Sequence, residues 1–270
     1  MNTRPAIRRI GIFDSGAGGL TVLRVLRQSF PGVRFTYLGD TARLPYGTKS
    51  AETIIRYTIQ NAAFLLKRKV DLLIVACNTA SAHALESLSQ FTQLPVIGVI
   101  EPGAHKASMI SRSGTIGVIG TQGTVSSGMY TRFIHQYRYD AVVLAKAAPL
   151  LVPLVEEGLV SGEIAEGAIR LYVDPLMEQG IDTLVLGCTH YPLLRDTIGR
   201  LYPGLHLVDS ATPIRDELQQ DYVFADQQGR TEIYITDYPE TFVPLSERFL
   251  GSSVDRIEHV DLQKLWRKRS

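Results

Sequence analysis

The sequence predicts an α/β protein of two related domains, each with a mainly parallel sheet. Three observations carry this. Short β-branched runs alternate with longer stretches of helical periodicity, the pattern of strand and helix layers. Most of the runs are apolar throughout, which suits strands buried on both faces of a parallel sheet. Two pairs of segments also recur, in the same order, in the two halves of the chain.

The expected strands cover residues 9–13, 34–38, 71–76, 96–100, 115–119, 141–145, 182–186, 205–208 and 232–236. Helical stretches lie between them. Over 53–67, Ile54, Tyr57, Asn61 and Leu65 fall near one stripe. Over 161–178, Ile164, Ala168, Tyr172 and Leu176 recur every fourth residue, and Pro175 is expected to kink the last turn.

The repeat gives the domain organisation. The strand from Asp71 into Cys77-Asn78-Thr79 resembles the strand from Asp182 into Cys188-Thr189-His190, at an offset of 188 − 77 = 111. The segment IGIFDSG from Ile10 resembles IGVIGTQ from Ile116, at an offset of 116 − 10 = 106. Each half thus holds a strand running into a Gly/hydroxyl loop and, further on, a strand ending in cysteine. The division that follows is 1–98 with 208–270 for the first domain and 99–207 for the second, the boundary falling near 97–102. The stretch after Val208 is too short for a third domain and is expected to return to the first.

Composition excludes several function classes. With 270 residues, 45% hydrophobic and 20% charged, the chain is neither disordered nor short of core. Surface scaling buries roughly 73% of the unfolded area. The net charge of +1 offers no nucleic-acid footprint. The longest apolar run, 147–155, is far short of the roughly 20 residues a membrane span needs, and it holds two prolines. Arg4, Arg8 and Arg9 make the start basic, but Asp14 interrupts the apolar stretch too soon for a signal peptide. Trp266-Arg267-Lys268-Arg269 reads as a solvated tail. Two cysteines are no disulfide framework, and without an export signal a reducing cytoplasm is the default.

Active sites of open α/β sheets lie at the carboxyl ends of strands. Cys77 and Cys188 both stand there, each before an expected helix start that favours the thiolate. A lone cysteine at such a place reads as a small buried hydrophobe. The matched pair, each followed by polar residues, reads as two reactive thiols. Asn78-Thr79 and Thr189-His190 add groups where free N–H bonds could hold a carboxylate. His190 can tune the thiol two residues before it. Cys188-x-His190 is too tight for the usual zinc spacings, so no metal is expected. The loop Asp14-Ser15-Gly16-Ala17-Gly18-Gly19 lacks both nucleotide patterns, because Thr21 stands where the third glycine belongs. Asp14 would repel a pyrophosphate and suits an ammonium group. In Leu44-Pro45-Tyr46-Gly47 the unshielded N–H of Gly47 can approach a small anion. Glu156 and Glu157 precede Gly158, an expected helix C-cap.

At these residues the sequence closely resembles the cofactor-independent glutamate racemases of the aspartate/glutamate racemase superfamily. The matching stretches are IGIFDSGAGGLT (10–21), GDTARLPYG (39–47), LIVACNTASA (73–82), PVIGVIEPG (95–103), GVIGT (117–121) and LVLGCTHYPL (184–193). The resemblance implies an active site at the domain interface, with one glutamate between the two domains. It implies Cys77 and Cys188 as the catalytic acid/bases, acting on D- and L-glutamate respectively, with Asp14 and His190 supporting them. Asp14, Ser15, Tyr46, Gly47, Asn78, Thr79, Thr121 and Thr189 match substrate-binding positions. A supporting glutamate falls near Glu157, within the Glu156/Glu157 doublet. The resemblance further implies no cofactor, a homodimer, and a cytoplasmic role supplying D-glutamate for peptidoglycan.

Two rival readings stand beside it. Aspartate racemisation, or another racemisation of the superfamily, differs by as little as one methylene in the substrate, a difference worth only a few kcal/mol. A non-enzymatic amino-acid-binding or redox module would bind without turnover.

Overall fold

The computed structural model describes residues 6–225, 228–238, 240, 242–254, 256–262 and 264. Arg4 and the basic tail 266–269 lie outside the described residues. Among the described residues ten strands are formed: β1 (Arg9–Asp14), β2 (Arg34–Gly39), β3 (Leu72–Val75), β4 (Val96–Gly98), β5 (Thr115–Gly120), β6 (Val142–Ala147), β7 (Thr183–Gly187), β8 (His206–Val208), β9 (Arg230–Ile235) and β10 (Ile257–His259). Between and after them run α1 (Leu20–Ser29), α2 (Ala51–Lys67), α3 (Asn78–Phe91), α4 (Ile100–Ile110), α5 (Gln122–Ser126), α6 (Met129–Tyr137), α7 (Leu151–Glu156), α8 (Glu163–Met177), α9 (Arg195–Leu201), α10 (Ala211–Asp221) and α11 (Phe242–Leu250). Among the described residues no helix is long and apolar enough to cross a membrane.

The strands form two sheets, one ordered β10-β9-β2-β1-β3-β4 and the other β6-β5-β7-β8. Every pairing between named strands is parallel. The run β2-β1-β3-β4 recurs as β6-β5-β7-β8, so the repeat read in the sequence is a repeat of topology. Its register recurs too. Ile10 pairs with Leu72, and Ile116 pairs with Thr183, residues displaced by 116 − 10 = 106 and 183 − 72 = 111. The central strands β1, β3 and β7 are buried almost throughout, as continuous apolar runs require. One core cluster joins Ile10, Ile12 and Leu23 from the first half to Ile116, Leu184 and Ile198 from the second. Another packs Phe13, Leu65 and Val75 under α2 and α3. The C-terminal stretch returns to the first sheet, where β9 pairs with β2 from Arg34↔Arg230 to Gly39↔Ile235.

All nine expected strands are present, with ends displaced by two residues at most. Four details differ. β10 has a single apolar residue, Ile257, and gives no strand signal. β6 is an edge strand whose residues are half-buried or exposed. On α8 the buried face is Ala165, Ile169, Tyr172, Val173 and Leu176: Tyr172 and Leu176 of the expected stripe are buried, Ala168 is partly buried, and Ile164 is exposed. Pro175 sits inside that helix, two residues from its end. The fourth is at Cys188, where no α-helix begins. A helical bond to the Cys188 carbonyl would have to come from residue 192, which is a proline without an N–H. Tyr191 N donates to it instead, at 3.1 Å, and a 3₁₀ turn follows over Tyr191–Leu194.

Candidate active site

The carboxyl ends of β1, β3, β5 and β7, with the loop after β2, bring most of the predicted residues to one place. Asp14 ends β1 and Ala76-Cys77 follow β3, with Ala76 N bonded to Phe13 O at 2.9 Å. Thr121 follows β5 and Cys188 follows β7. A cavity of about 360 Å³ opens there, lined from the first half by Ser15, Gly16, Leu44–Thr48 and Cys77–Thr79. The second half contributes Thr121, Gln122, Pro149, Val152, Pro153, Glu156 and Cys188–His190.

Cys77 is the N-cap of α3, and its carbonyl accepts the first helical bond from Ser81 N at 2.8 Å. Its Sγ lies 3.7 Å from Ser15 Oγ. The helix start does not make this thiol acidic. Burial pushes it up to about 12, and the Asp14 charge adds to that, against the Ala80 N–H and the Ser15 hydroxyl. Desolvation outweighs the helix end because the sulfur is almost wholly enclosed.

Cys188 has a different environment. His190 Nδ1 lies 3.8 Å from its Sγ, and His190 Nε2 lies 3.0 Å from Glu156 Oε1. Burial pulls the imidazole pKa down, but the Cys188 and Glu156 partners outweigh it and raise it to about 10. A positive imidazolium therefore stands beside this sulfur.

Asp14 is fully buried and lies behind the cavity lining, not on it. Its Oδ2 accepts Gly16 N at 3.0 Å, and Thr189 Oγ1 donates to its Oδ1 at 3.4 Å. Burial raises its carboxyl, opposed first by the His190 charge and then by the N–H groups of Gly16 and Gly19. Asp14 therefore does not line the cavity, whereas the sequence placed it against substrate.

Hydroxyls and amides tie the two halves together. Thr79 Oγ1 is 2.9 Å from Thr121 Oγ1, and Thr121 caps α5 by accepting from Thr124 N at 3.2 Å. Asn78 Oδ1 accepts from the Tyr130 hydroxyl at 2.7 Å, and Asn78 Nδ2 donates to Ser210 Oγ at 3.0 Å. The Asn78 amide is therefore engaged within the protein. So is the Tyr46 phenol, which donates to Asp40 and accepts from Asn61 Nδ2 at 3.1 Å. Gly47 and Thr121 meet so closely that a Cβ at 47 would lie 2.8 Å from Thr121 Cβ.

Glu157 is not brought to the site. It is the exposed C-cap residue of α7, while Glu156, one position earlier and about 100° round the helix, lines the cavity and meets His190. The apolar wall of Pro149, Val152 and Pro153 was also missed. It comes from the apolar run 147–155, whose only sequence signal was its length.

A family model described as Asp/Glu/Hydantoin racemase matches residues 19–213. The chain belongs to the Asp/Glu/Hydantoin racemase family. It is an enzyme of that family, an amino-acid racemase and so an isomerase. A glutamate racemase of Persephonella marina is 47% identical over 256 residues, covering 95% of this chain and 98% of its own. The structure of the Francisella tularensis glutamate racemase in complex with D-glutamate matches with a TM-score of 0.88 at 35% identity, over 95% of this chain and 98% of that one. A glutamate racemase isoform of Bacillus anthracis matches with a TM-score of 0.89 at 36% identity, over 94% and 98%. These racemases share the two-domain α/β fold.

Proposed function

We propose that the chain interconverts L- and D-glutamate by a two-base proton transfer at the α-carbon, without a cofactor. One observation carries this reading: two buried thiols, placed by strands related through the internal repeat, line one cavity. A racemase removes a proton from one face of a carbon and returns one to the other face. Two pseudo-symmetric halves facing each other present similar thiols to opposite faces.

In each direction one sulfur is thiolate and the other thiol, and turnover exchanges them. Cys188 acts on L-glutamate and Cys77 on D-glutamate. The imidazolium of His190 compensates a thiolate at Cys188. Cys77, raised by burial and by Asp14, is a strong base when ionised, which suits a weakly acidic α-proton. The substrate ammonium offsets the negative charge that Asp14 and a thiolate place at this end of the site. Backbone N–H groups of Ser15, Gly47, Asn78 and Thr189, with the hydroxyls of Thr79 and Thr121, take the carboxylates, and Tyr46 fixes the loop that carries Gly47. Charge developing at the α-carbon is held in an enclosed, preorganised setting.

The same proposal takes residues 1–98 and 208–270 as one domain and 99–207 as the other. It makes the enzyme a cytoplasmic homodimer that supplies D-glutamate for peptidoglycan. The test of the substrate is chiral chromatography of L-glutamate, D-glutamate and L-aspartate after incubation with purified protein and no added cofactor. Racemisation of both glutamate enantiomers is expected. Turnover of aspartate without glutamate, or stoichiometric binding without turnover, would overturn it.

A further inference from the structure

We infer that Asp40 and Thr236 are positioning residues for catalysis: together they clamp the segment 41–48, so that the C-terminal strand β9 holds the substrate-binding loop in place. This rests on the racemase reading above and adds to it residues that touch neither thiol nor cavity.

Asp40 follows β2 and is fully buried. A buried carboxylate is retained only when its oxygens are satisfied. Here they are, from three directions. Arg43 reaches it through Nε, at 2.9 and 2.8 Å to the two oxygens, and through Nη2 at 2.7 Å. The Tyr46 phenol donates to Oδ2. Thr236 Oγ1 donates to Oδ1 at 2.9 Å. Arg43 and Tyr46 belong to the loop whose residues 44–48 line the cavity. Thr236 follows β9, 196 residues away.

The clamp is reciprocal. Thr236 Oγ1 also accepts from Ala42 N at 2.9 Å, so one hydroxyl is shared between the loop backbone and Asp40. Thr41 Oγ1 donates to Asp237 O at 2.6 Å and accepts from Asp237 N at 2.8 Å. Thr236 N bonds Gly39 O at 3.1 Å, continuing the β2–β9 ladder. From α2, Asn61 bonds both Tyr46 and Arg43, and Gln60 bonds Arg43. The loop has only two short 3₁₀ turns of its own, Thr41–Arg43 and Tyr46–Thr48. Its position is set by this network, and Gly47 must be held against Thr121 with no room for a Cβ.

The work of the clamp is therefore geometric. It fixes where the loop amides meet substrate, which lowers the entropy lost on binding. Losing it raises KM, because the loop must be ordered at the expense of binding energy, while the two thiols are untouched.

The test uses Thr236→Val, Thr236→Ser and Asp40→Asn in the full chain, with wild type assayed in parallel. Thr236→Val keeps the shape and removes the hydroxyl. It should raise KM for both glutamate enantiomers by roughly tenfold, the worth of a hydrogen bond to a charged group, with kcat changed less than threefold. Thr236→Ser should restore KM to within about twofold. Asp40→Asn should show the same KM-weighted defect, and hydrogen exchange over 41–48 should speed up in it and in Thr236→Val. A fall in Tm with KM unchanged would assign these residues a purely structural role and overturn the inference. So would a loss confined to kcat, or a Thr236→Ser variant as defective as Thr236→Val. Failure of the wild-type protein to racemise glutamate would instead overturn the proposed function. If Thr236→Val does not fold, Asp40→Asn and Thr236→Ser decide through the same KM and exchange measurements.

Discussion

His190 Nε2 lies 3.0 Å from Glu156 Oε1, and the other face of the same imidazole looks onto Cys188 Sγ at 3.8 Å. A carboxylate, an imidazole and a thiol thus stand in line at one end of the site. Cys77 has no such relay. Its neighbours are the Ser15 hydroxyl and the charge of Asp14. The two thiols are related by the repeat but not by their electrostatics.

Glu156→Gln should lower kcat/KM by roughly 10- to 100-fold, the worth of a charge-assisted hydrogen bond. The equilibrium constant of a racemisation is one, so kcat/KM must fall equally in both directions. The asymmetry appears in kcat, which should fall more for L-glutamate. Glu157→Gln should leave both parameters near wild type, because Glu157 is exposed and off the cavity. Steady-state kinetics in both directions decide this, and equal damage from the two substitutions would remove Glu156 from its role.

The His190 imidazole should stay protonated until about pH 10, against its ordinary value of 6.5. The raised folded value gives a definite sign. Stability from the charged imidazole is fully present below pH 6.5 and is lost as pH rises through about 10. Nitrogen-15 NMR of labelled histidine follows the protonation directly, and Tm measured across that window follows the stability. Titration near 6.5 would show that Cys188 and Glu156 do not hold the proton.

Asp14→Asn should separate stability from activity. Burial disfavours the charged form of Asp14, so a neutral amide that still accepts from Gly16 N removes a cost. Tm should rise or hold. Racemisation should fall by about 100-fold or more, since the buried charge that acts on His190 and on this end of the site is gone. Differential scanning calorimetry beside the chiral assay reads both. A variant both unstable and inactive would make Asp14 a structural anchor only.

Gly18→Ala tests the closeness of the two halves. The added Cβ would lie 2.3 Å from Thr189 Oγ1 and 2.6 Å from His190 Nδ1. The imidazole must then move from Cys188, and overpacking of this kind costs about 1–3 kcal/mol. Chemical denaturation should show that loss, and activity should fall with it. Wild-type activity would mean that the halves can separate here freely.

The sequence was most informative where strands end. Cys77, Cys188, Thr121 and the Asp14–Gly19 loop could be placed because buried parallel strands are visible as apolar runs and the repeat aligns their ends. The order β2-β1-β3-β4 and its copy are seen only in the folded sheets, because apolar runs show where strands lie and not which strands pair. Less local features were not legible. Whether Glu156 or Glu157 faces inward depends on one step of rotation at the end of α7. The wall of Pro149, Val152 and Pro153 depends on where that segment lies over the cavity. The meeting of Asp40 with Thr236 spans 196 residues and leaves no periodic trace. The missing helix start at Cys188 was legible, since Pro192 has no N–H to bond its carbonyl.

The central claim is that two thiols act from opposite faces of one carbon. The most direct test follows the α-proton of L-glutamate in deuterated water under single-turnover conditions, read by mass spectrometry after chiral separation. The D-glutamate formed should carry solvent deuterium, the remaining L-glutamate should stay largely unlabelled early in the reaction, and Cys77→Ser and Cys188→Ser should each abolish racemisation. Product that retains much of the substrate's own α-hydrogen, or a serine variant with full racemase activity, would contradict the two-thiol mechanism.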